Sequence, residues 1–313
     1  MALEKVVLVK KETSLEGLLK RHATTSQVKF YLESRGENYQ YYLSAHQDYH
    51  RGLAQTRSTI PPTLRLQVID KENLDTFQFG DKDLVVVVGD PGLFVNVAKY
   101  VGEQPVISVN PDDKRYDNTF ATCTPDSFPE TLKRTLEGKA QYELLTMAGA
   151  KLPDGQVLYA LNDLFIGQKT HASARYNLAY GGRSERQISS GIIVSTGSGS
   201  TGWLTSIFGG AYALSGKDSC RRESIVFPRD ADYLQFVVRE PFPSKASGAT
   251  VISGKITRNN PVVVTSNMYF NGVIFSDGIE SDYLEFNAGA IVTVIPVERK
   301  VKLVRPDYKA KLR

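Results

Sequence analysis

The sequence predicts an α/β N-terminal domain followed by a β-rich, sandwich-like C-terminal domain. Three observations carry this. The run Leu84–Val88 is continuously apolar, as in a parallel strand buried on both faces, and it lies among alternating helical and strand patterns. From Gln141 onward nearly every segment reads as strand. A chain of 313 residues is long enough for two separate cores. The expected division is residues 1–125 for the α/β domain and 126–313 for the β-rich domain, with the last residues able to return to the first.

The elements follow in order. Lys5–Lys10 reads as a short buried strand, and Thr13-Ser14-Leu15-Glu16 reads as a capping box opening a helix with Leu15, Leu18 and Leu19 on one face. A second helix is expected from about Tyr39 to Leu53, with His46 and His50 as members of its apolar face, and Pro61-Pro62 ends it. Leu64, Leu66 and Val68 alternate as a strand before the Leu84–Val88 run. Ser127-Phe128-Pro129-Glu130 offers a further capping box, with Leu132 and Leu136 on one face. Strands are expected over Tyr142–Ala148 and Gln156–Ile166, flanking a Pro153-Asp154-Gly155 turn, and Gly181-Gly182 punctuates a hairpin. Further strands are expected over Tyr233–Val238, Ala249–Ile256, Pro261–Thr265, Gly272–Phe275 and Ala290–Pro296.

Composition narrows the function. Apolar residues are 41% and charged residues 23%, ordinary for a soluble enzyme, and 38 basic against 34 acidic residues give a net charge of +4. That excess suits anionic phosphates and is too small and dispersed for a nucleic-acid partner. No apolar run is long enough for a membrane span, and no targeting segment is expected from the N-terminal residues. Cys123 and Cys220 supply no disulfide framework and no metal motif, so a reduced, cytoplasmic protein is expected.

Three segments are candidates for chemistry. Val88-Gly89-Asp90-Pro91-Gly92 follows the buried strand, at the end where α/β sheets place ligands. Asp90 there suits accepting a hydroxyl proton or positioning a magnesium-bound phosphate, and equally suits a turn in which it bonds its own backbone. Ser195-Thr196-Gly197-Ser198-Gly199-Ser200-Thr201-Gly202 follows a strand, and its glycines and hydroxyls suit a phosphate or ribose. It lacks the lysine of a P-loop, and a plain Gly/Ser linker is the alternative. Asn162-Asp163 interrupts an apolar strand with an amide and a carboxylate, a pair matched to two ribose hydroxyls; an edge-strand kink is the alternative.

In that order, the segments resemble the NAD kinase family, in particular its mitochondrial-type branch in animals. The resemblance runs through Pro105–Asn110, Ala160–Gly167, Ala172–Tyr176 and Ser189-Ser190-Gly191 into the loop ending at Trp203. It continues through Arg239-Glu240-Pro241 and closes with Ser276-Asp277-Gly278 and Phe286–Ala290. It implies an NAD kinase-like fold and transfer of a phosphoryl group from ATP, with Mg²⁺, to the adenosine-ribose 2′-hydroxyl of NAD. Asp90 would be the catalytic base, with Gly89 and Gly92 in the phosphate-donor loop. Asn162 and Asp163 would bind NAD together with Thr196, Gly197, Ser198, Ser200 and Thr201. It also implies small-molecule nucleotide partners and a homodimer or higher homo-oligomer, for which the hairpin edges around Tyr176–Arg186 are the expected surface.

The chain departs from the family's Gly-Gly-Asp-Gly-Thr motif, with Val88 at its first glycine, Pro91 after its Asp, and Gly92 in place of its Thr. Asp163 stands where the family's pair has Glu, and Ser190 where many bacterial members have Asp. Two alternatives therefore stay open: a catalytically degenerate NAD(P)(H)-binding or sensor protein of the same fold, and a relative of lipid-kinase type.

Overall fold

The computed structural model of the chain describes residues 3–116, 119–216 and 224–305. Cys220 lies outside them. Two compact units emerge, Met1–Glu143 with Val301–Arg313, and Leu144–Lys300.

The first unit is a parallel sheet with helices. Its elements are β1 (Lys5–Lys10), α1 (Ser14–His22), α2 (Thr25–Glu33), α3 (Tyr39–Thr59), β2 (Arg65–Asp70), β3 (Asp83–Val88), α4 (Pro91–Ala98), β4 (Pro105–Val109) and α5 (Phe128–Leu136). Strand order is β2-β1-β3-β4, all parallel. The chain re-enters through the end of its last strand, which pairs in parallel with β4 at Lys302 and Leu303. Val85, Val86 and Val87 are fully buried, as their unbroken apolar run requires. The core joins Val6, Leu8, Leu84, Val86, Ile107, Phe128 and Leu132.

Thr13 makes the expected capping box: its hydroxyl accepts from the Glu16 N–H, and the Glu16 carboxylate accepts from the Thr13 N–H. The chain leaves α3 through Ile60 in extended conformation, as the residue before Pro61 must. The second capping box is not made. Ser127 has helical dihedrals and no side-chain cap bond; its hydroxyl accepts from the Thr124 N–H at 3.0 Å. Helix α2, unread in the sequence, buries Val28 and Leu32 against Leu15 and Tyr39.

The second unit is a two-sheet sandwich. It comprises β5 (Tyr142–Lys151), β6 (Val157–Ala160), β7 (Asp163–Gln168), β8 (Ala174–Tyr180), β9 (Arg183–Ser189), β10 (Ile192–Ser195), α6 (Trp203–Leu214), β11 (Leu234–Val238), β12 (Ser253–Ile256), β13 (Val262–Ser266), β14 (Gly272–Ser276), β15 (Ile279–Glu285) and β16 (Ile291–Val304). One sheet has the order β16-β13-β8-β9, with β5 on β16 and β6 on β5; the other is β12-β11-β10-β7-β14-β15. Their facing sides share one core: Tyr176, Leu178, Val264 and Val292 from one meet Leu164, Ile166, Val194, Phe236 and Ile274 from the other. Alternate residues Phe165, Ile193, Val237 and Val273 point outward and pack with Leu204 and Trp203 of α6.

Gly181 and Gly182 have φ of 59° and 75°, the geometry a two-residue hairpin turn demands, and they set the β8–β9 register. The expected single strand Gln156–Ile166 is instead two. β6 ends at Ala160 and β7 begins at Asp163 in the other sheet, so the chain changes sheets at Leu161-Asn162.

Candidate functional site

That change of sheet has a definable cause. Asp277 places its carboxylate against three successive backbone N–H groups: Leu161 at 3.0 Å, Asn162 at 2.7 Å and Asp163 at 3.1 Å. Asp277 and Gly278 have φ of 56° and 72° and form the two-residue turn between β14 and β15. A carboxylate tolerates left-handed backbone well and is the strongest available acceptor, so one residue makes the turn and holds the corner. The Asp277 N–H returns a bond to Asp163 O at 2.9 Å.

The corner leaves its two side chains uncommitted. The Asn162 amide makes no side-chain hydrogen bond to any described residue. Asp163 Oδ1 is buried and without a hydrogen-bond partner. Burial pushes the Asp163 carboxyl from 3.8 up to about 7, the negative charge of Asp277 adds to the rise, and the Ser195 hydroxyl opposes it. A buried carboxyl beside a free amide supplies an acceptor and a donor–acceptor pair to a ligand that carries hydroxyls.

The Gly/Ser loop lies against this corner. Thr196, fully buried, donates its hydroxyl to Leu161 O at 2.5 Å, accepts from the N–H groups of Ser198 (3.1 Å) and Gly199 (3.2 Å), and donates its own N–H to Asn162 O. A Cβ on Gly199 would fall 2.3 Å from Asn162 O and 2.8 Å from Asp163 Oδ1; one on Gly197 would fall 2.0 Å from Pro228 O. Both glycines are there because backbone passes where a side chain has no room. Ser200 donates to Gly197 O at 2.8 Å and accepts from the Phe227 N–H at 3.3 Å. Thr196 and Ser200 therefore spend their hydroxyls on the loop's shape. Ser198 Oγ is buried with no partner, and Thr201 is exposed. A short 3-10 turn over Gly199–Thr201 leads into α6.

Asp90, Gly89 and Gly92 belong to the first unit. Asp90 is the N-cap of α4: Oδ1 accepts from the Leu93 N–H at 2.9 Å, and Pro91 occupies the first helical position. Its second oxygen pairs with the Lys11 ammonium. Tyr49 from α3 ties the two strand ends together, accepting from the Lys11 N–H at 3.0 Å and donating to Val88 O at 3.2 Å. Burial pushes its phenol up to about 12. Gly89 has the Leu93 side chain 2.9 Å from where a Cβ would sit, and its N–H reaches Val109 O.

A cavity of about 220 Å³ opens here, lined by Lys11, Thr13, His46, Tyr49, Asp90, Asp112 and Arg115 among others. Arg115 is held by Asp112, by Asp48 at 2.7 Å and by Ser44 Oγ at 2.6 Å. Two cations line its wall, each held by carboxylates, Lys11 by Asp90 and Arg115 by Asp112 and Asp48. Sequence reasoning assigned no role to Asp277, Lys11 or Arg115. The Asp-Gly dipeptide signalled the turn at Asp277, whereas Lys11 lies 79 residues from Asp90 and carried no local signal. Cys123 is buried and its thiol pushed up to about 12, which makes it unreactive.

No family model matches the sequence, and no curated protein matches it. Among solved structures, the chain is similar to yeast NADH kinase complexed with NADH. The TM-score is 0.58 at 13% identity, covering 98% of this chain and 85% of that one. It is also similar to an NAD kinase from Archaeoglobus fulgidus in complex with ATP, with a TM-score of 0.55 at 16% identity, over 99% and 96% of the two chains. None of the helices among the described residues is long and apolar enough to cross a membrane. With its parallel α/β unit and its β-rich sandwich, the chain has an NAD kinase-like fold.

Proposed function

We propose that the chain is a phosphotransferase of NAD kinase type, transferring the terminal phosphoryl group of ATP to the adenosine-ribose 2′-hydroxyl of NAD. The observation that carries this reading is the Asn162–Asp163 corner, where a free amide and an unpartnered buried carboxylate oxygen stand together. A ribose diol has the matching donors and acceptors. The glycines at 197 and 199 let the loop lie close to such a ligand.

Lys11 and Arg115 line the cavity and, on release from their carboxylate partners, would meet the ATP phosphates. The cavity's carboxylates are each already paired, Asp90 with Lys11 and Asp112 with Arg115, so no cage for Mg²⁺ exists there. Mg²⁺ would enter as the companion of the triphosphate, neutralising its charge through the phosphate oxygens, and no carboxylate of this cavity is assigned to it. In the proposed step Lys11 moves to the incoming phosphate and frees Asp90. The carboxylate then takes the 2′-hydroxyl proton as the oxygen bonds to the terminal phosphorus, and ADP departs with the electrons of the broken bond.

A second reading has an observation in its favour. Both Asp90 oxygens are engaged, one on Leu93 and one on Lys11, and Pro91 removes an N–H from the phosphate end of α4. That suits a catalytically degenerate protein that only binds NAD(P)(H). The test is formation of NADP(H) from NAD or NADH with ATP and Mg²⁺. Turnover is expected, and Asp90→Asn should lower it by about 10²–10⁴-fold with a smaller change in NAD affinity. NAD binding without turnover would establish the second reading, and full activity in Asp90→Asn would refute Asp90 as the base.

A further inference from the structure

Three side chains converge beside the Asp90 cavity without a part in the chemistry above. Glu16 stands in the first turn of α1, and His46 and His50 are one turn apart on α3. The imidazole rings are 4.4 Å apart. One ligand atom from each of the three residues lies within 4.8 Å of the others.

The surroundings leave the right atoms free. The Thr13 N–H and hydroxyl both donate to Glu16 Oε2, at 2.8 and 3.0 Å, which fixes the carboxylate and turns Oε1 towards His50. His50 Nε2 lies 3.1 Å from that oxygen. Two ligands of a tetrahedral zinc ion with bonds of about 2.0–2.1 Å stand about 3.3 Å apart, so this spacing is already close to a coordination edge. The Thr13 hydroxyl has one proton, given to Glu16, so towards His46 Nδ1 at 2.9 Å it acts as acceptor. His46 then carries its proton on Nδ1 and presents the Nε2 lone pair. Such outer hydrogen bonds are what set the tautomer of a metal-binding histidine. A plain His50–Glu16 ion pair accounts for two of these residues but not for the third, His46, held beside them by Thr13. His46 lines the Asp90 cavity and His50 lines a second, larger one, so an ion has a path in from solvent.

We propose that Glu16, His46 and His50 form a binding site for a divalent transition-metal ion of the zinc class. Two imidazoles and one carboxylate select such an ion over Mg²⁺, and three protein ligands leave a position for water. The proposal is independent of the phosphotransferase reading.

The test uses the tag-free full chain, stripped with a chelator and titrated with Zn²⁺ against a chromophoric competitor. Co²⁺ serves as a spectroscopic probe. One equivalent of Zn²⁺ is expected to bind, to raise the melting temperature, and to be replaceable by Co²⁺ with visible bands of a four-coordinate site. His46→Ala and His50→Ala should abolish this, and His171→Ala should not. Thr13→Val, which removes the hydroxyl's bonds to Glu16 and His46 together with its cap on the Glu16 N–H, should weaken affinity by on the order of 10–100-fold. Glu16→Gln retains a residue type that serves in a capping box, so it guards against loss by unfolding, and it too should bind weakly. Absence of stoichiometric binding, unchanged affinity in both histidine variants, or equal affinity for Mg²⁺ would overturn the proposal.

Discussion

Folding makes Asp163 a weaker acid, and the linkage has a definite sign. Its carboxyl rises from 3.8 to about 7 because burial disfavours the charged form. Between those values the folded chain holds a proton that the unfolded chain has released. The stabilising contribution is therefore fully present below 3.8 and is lost as pH rises through about 7. Asp163→Asn removes the penalty of burying the charge. It should be more stable than wild type at alkaline pH, by on the order of a few kcal/mol, and melt higher, with the difference closing in acid. Wild-type NAD affinity should move the other way, because only the ionised carboxylate accepts from both ribose hydroxyls. Affinity should strengthen as pH rises towards about 7 and then level off, and the Asn variant should show no such step. Calorimetric titration across that range, with thermal melts of both proteins, checks the two signs together.

At the scale of elements, the corner between β6 and β7 depends on a carboxylate from the β14–β15 turn, 114 to 116 residues away. Asp277→Ala would strand three N–H groups at once. A loss of about 1.5–3 kcal/mol or more is expected, since hydrogen bonds to a charged group carry that much each without adding in full. NAD affinity should fall with it even though Asp277 is assigned no ligand contact, and melts paired with binding isotherms test both. This dependence also explains what was legible. Elements whose pattern is local were readable: the Leu84–Val88 run, the Thr13–Glu16 capping box, the Gly181-Gly182 hairpin. The break at Leu161-Asn162 was not, because its cause sits in a distant turn and the apolar residues on either side keep a strand's alternation. Helix α2 escaped notice because only Val28 and Leu32 of its nine residues are buried, too few to show a period. Asn162 and Asp163 stood out as polar residues in an apolar setting; Glu16, His46 and His50 did not, because 34 residues separate Glu16 from His50.

At the scale of the whole molecule, the hairpin edge expected to drive assembly is partly occupied. The outer side of β9 is not bare, because Arg186 O accepts from the Gly248 N–H at 2.8 Å and Ile188 O from the Phe242 N–H at 2.9 Å. Folding-back of the 242–248 segment thus corrects the premise of an open edge around Tyr176–Arg186. We still expect a homo-oligomer, now through surfaces such as the exposed Tyr269 and Phe270 near the start of β14. Light scattering across micromolar concentrations should give at least a dimeric mass, reduced by Tyr269→Ser with Phe270→Ser; a monomer throughout would refute it. The return of β16 to β4 bears on events long before any ligand binds. Residues 144–300 lie in the chain between the two parts of the first unit, so Lys302 and Leu303 leave the ribosome long after Pro105 and Val106, their partners. The Ser108–Asn110 end of β4 is bonded early, by Thr122 and Cys123, but at about 5–20 residues per second its Pro105–Val106 end waits on the order of 10–40 seconds for its neighbour. During that interval the nascent chain leaves the Pro105–Val106 end of an apolar strand bare, for a time set by the order in which the residues are made.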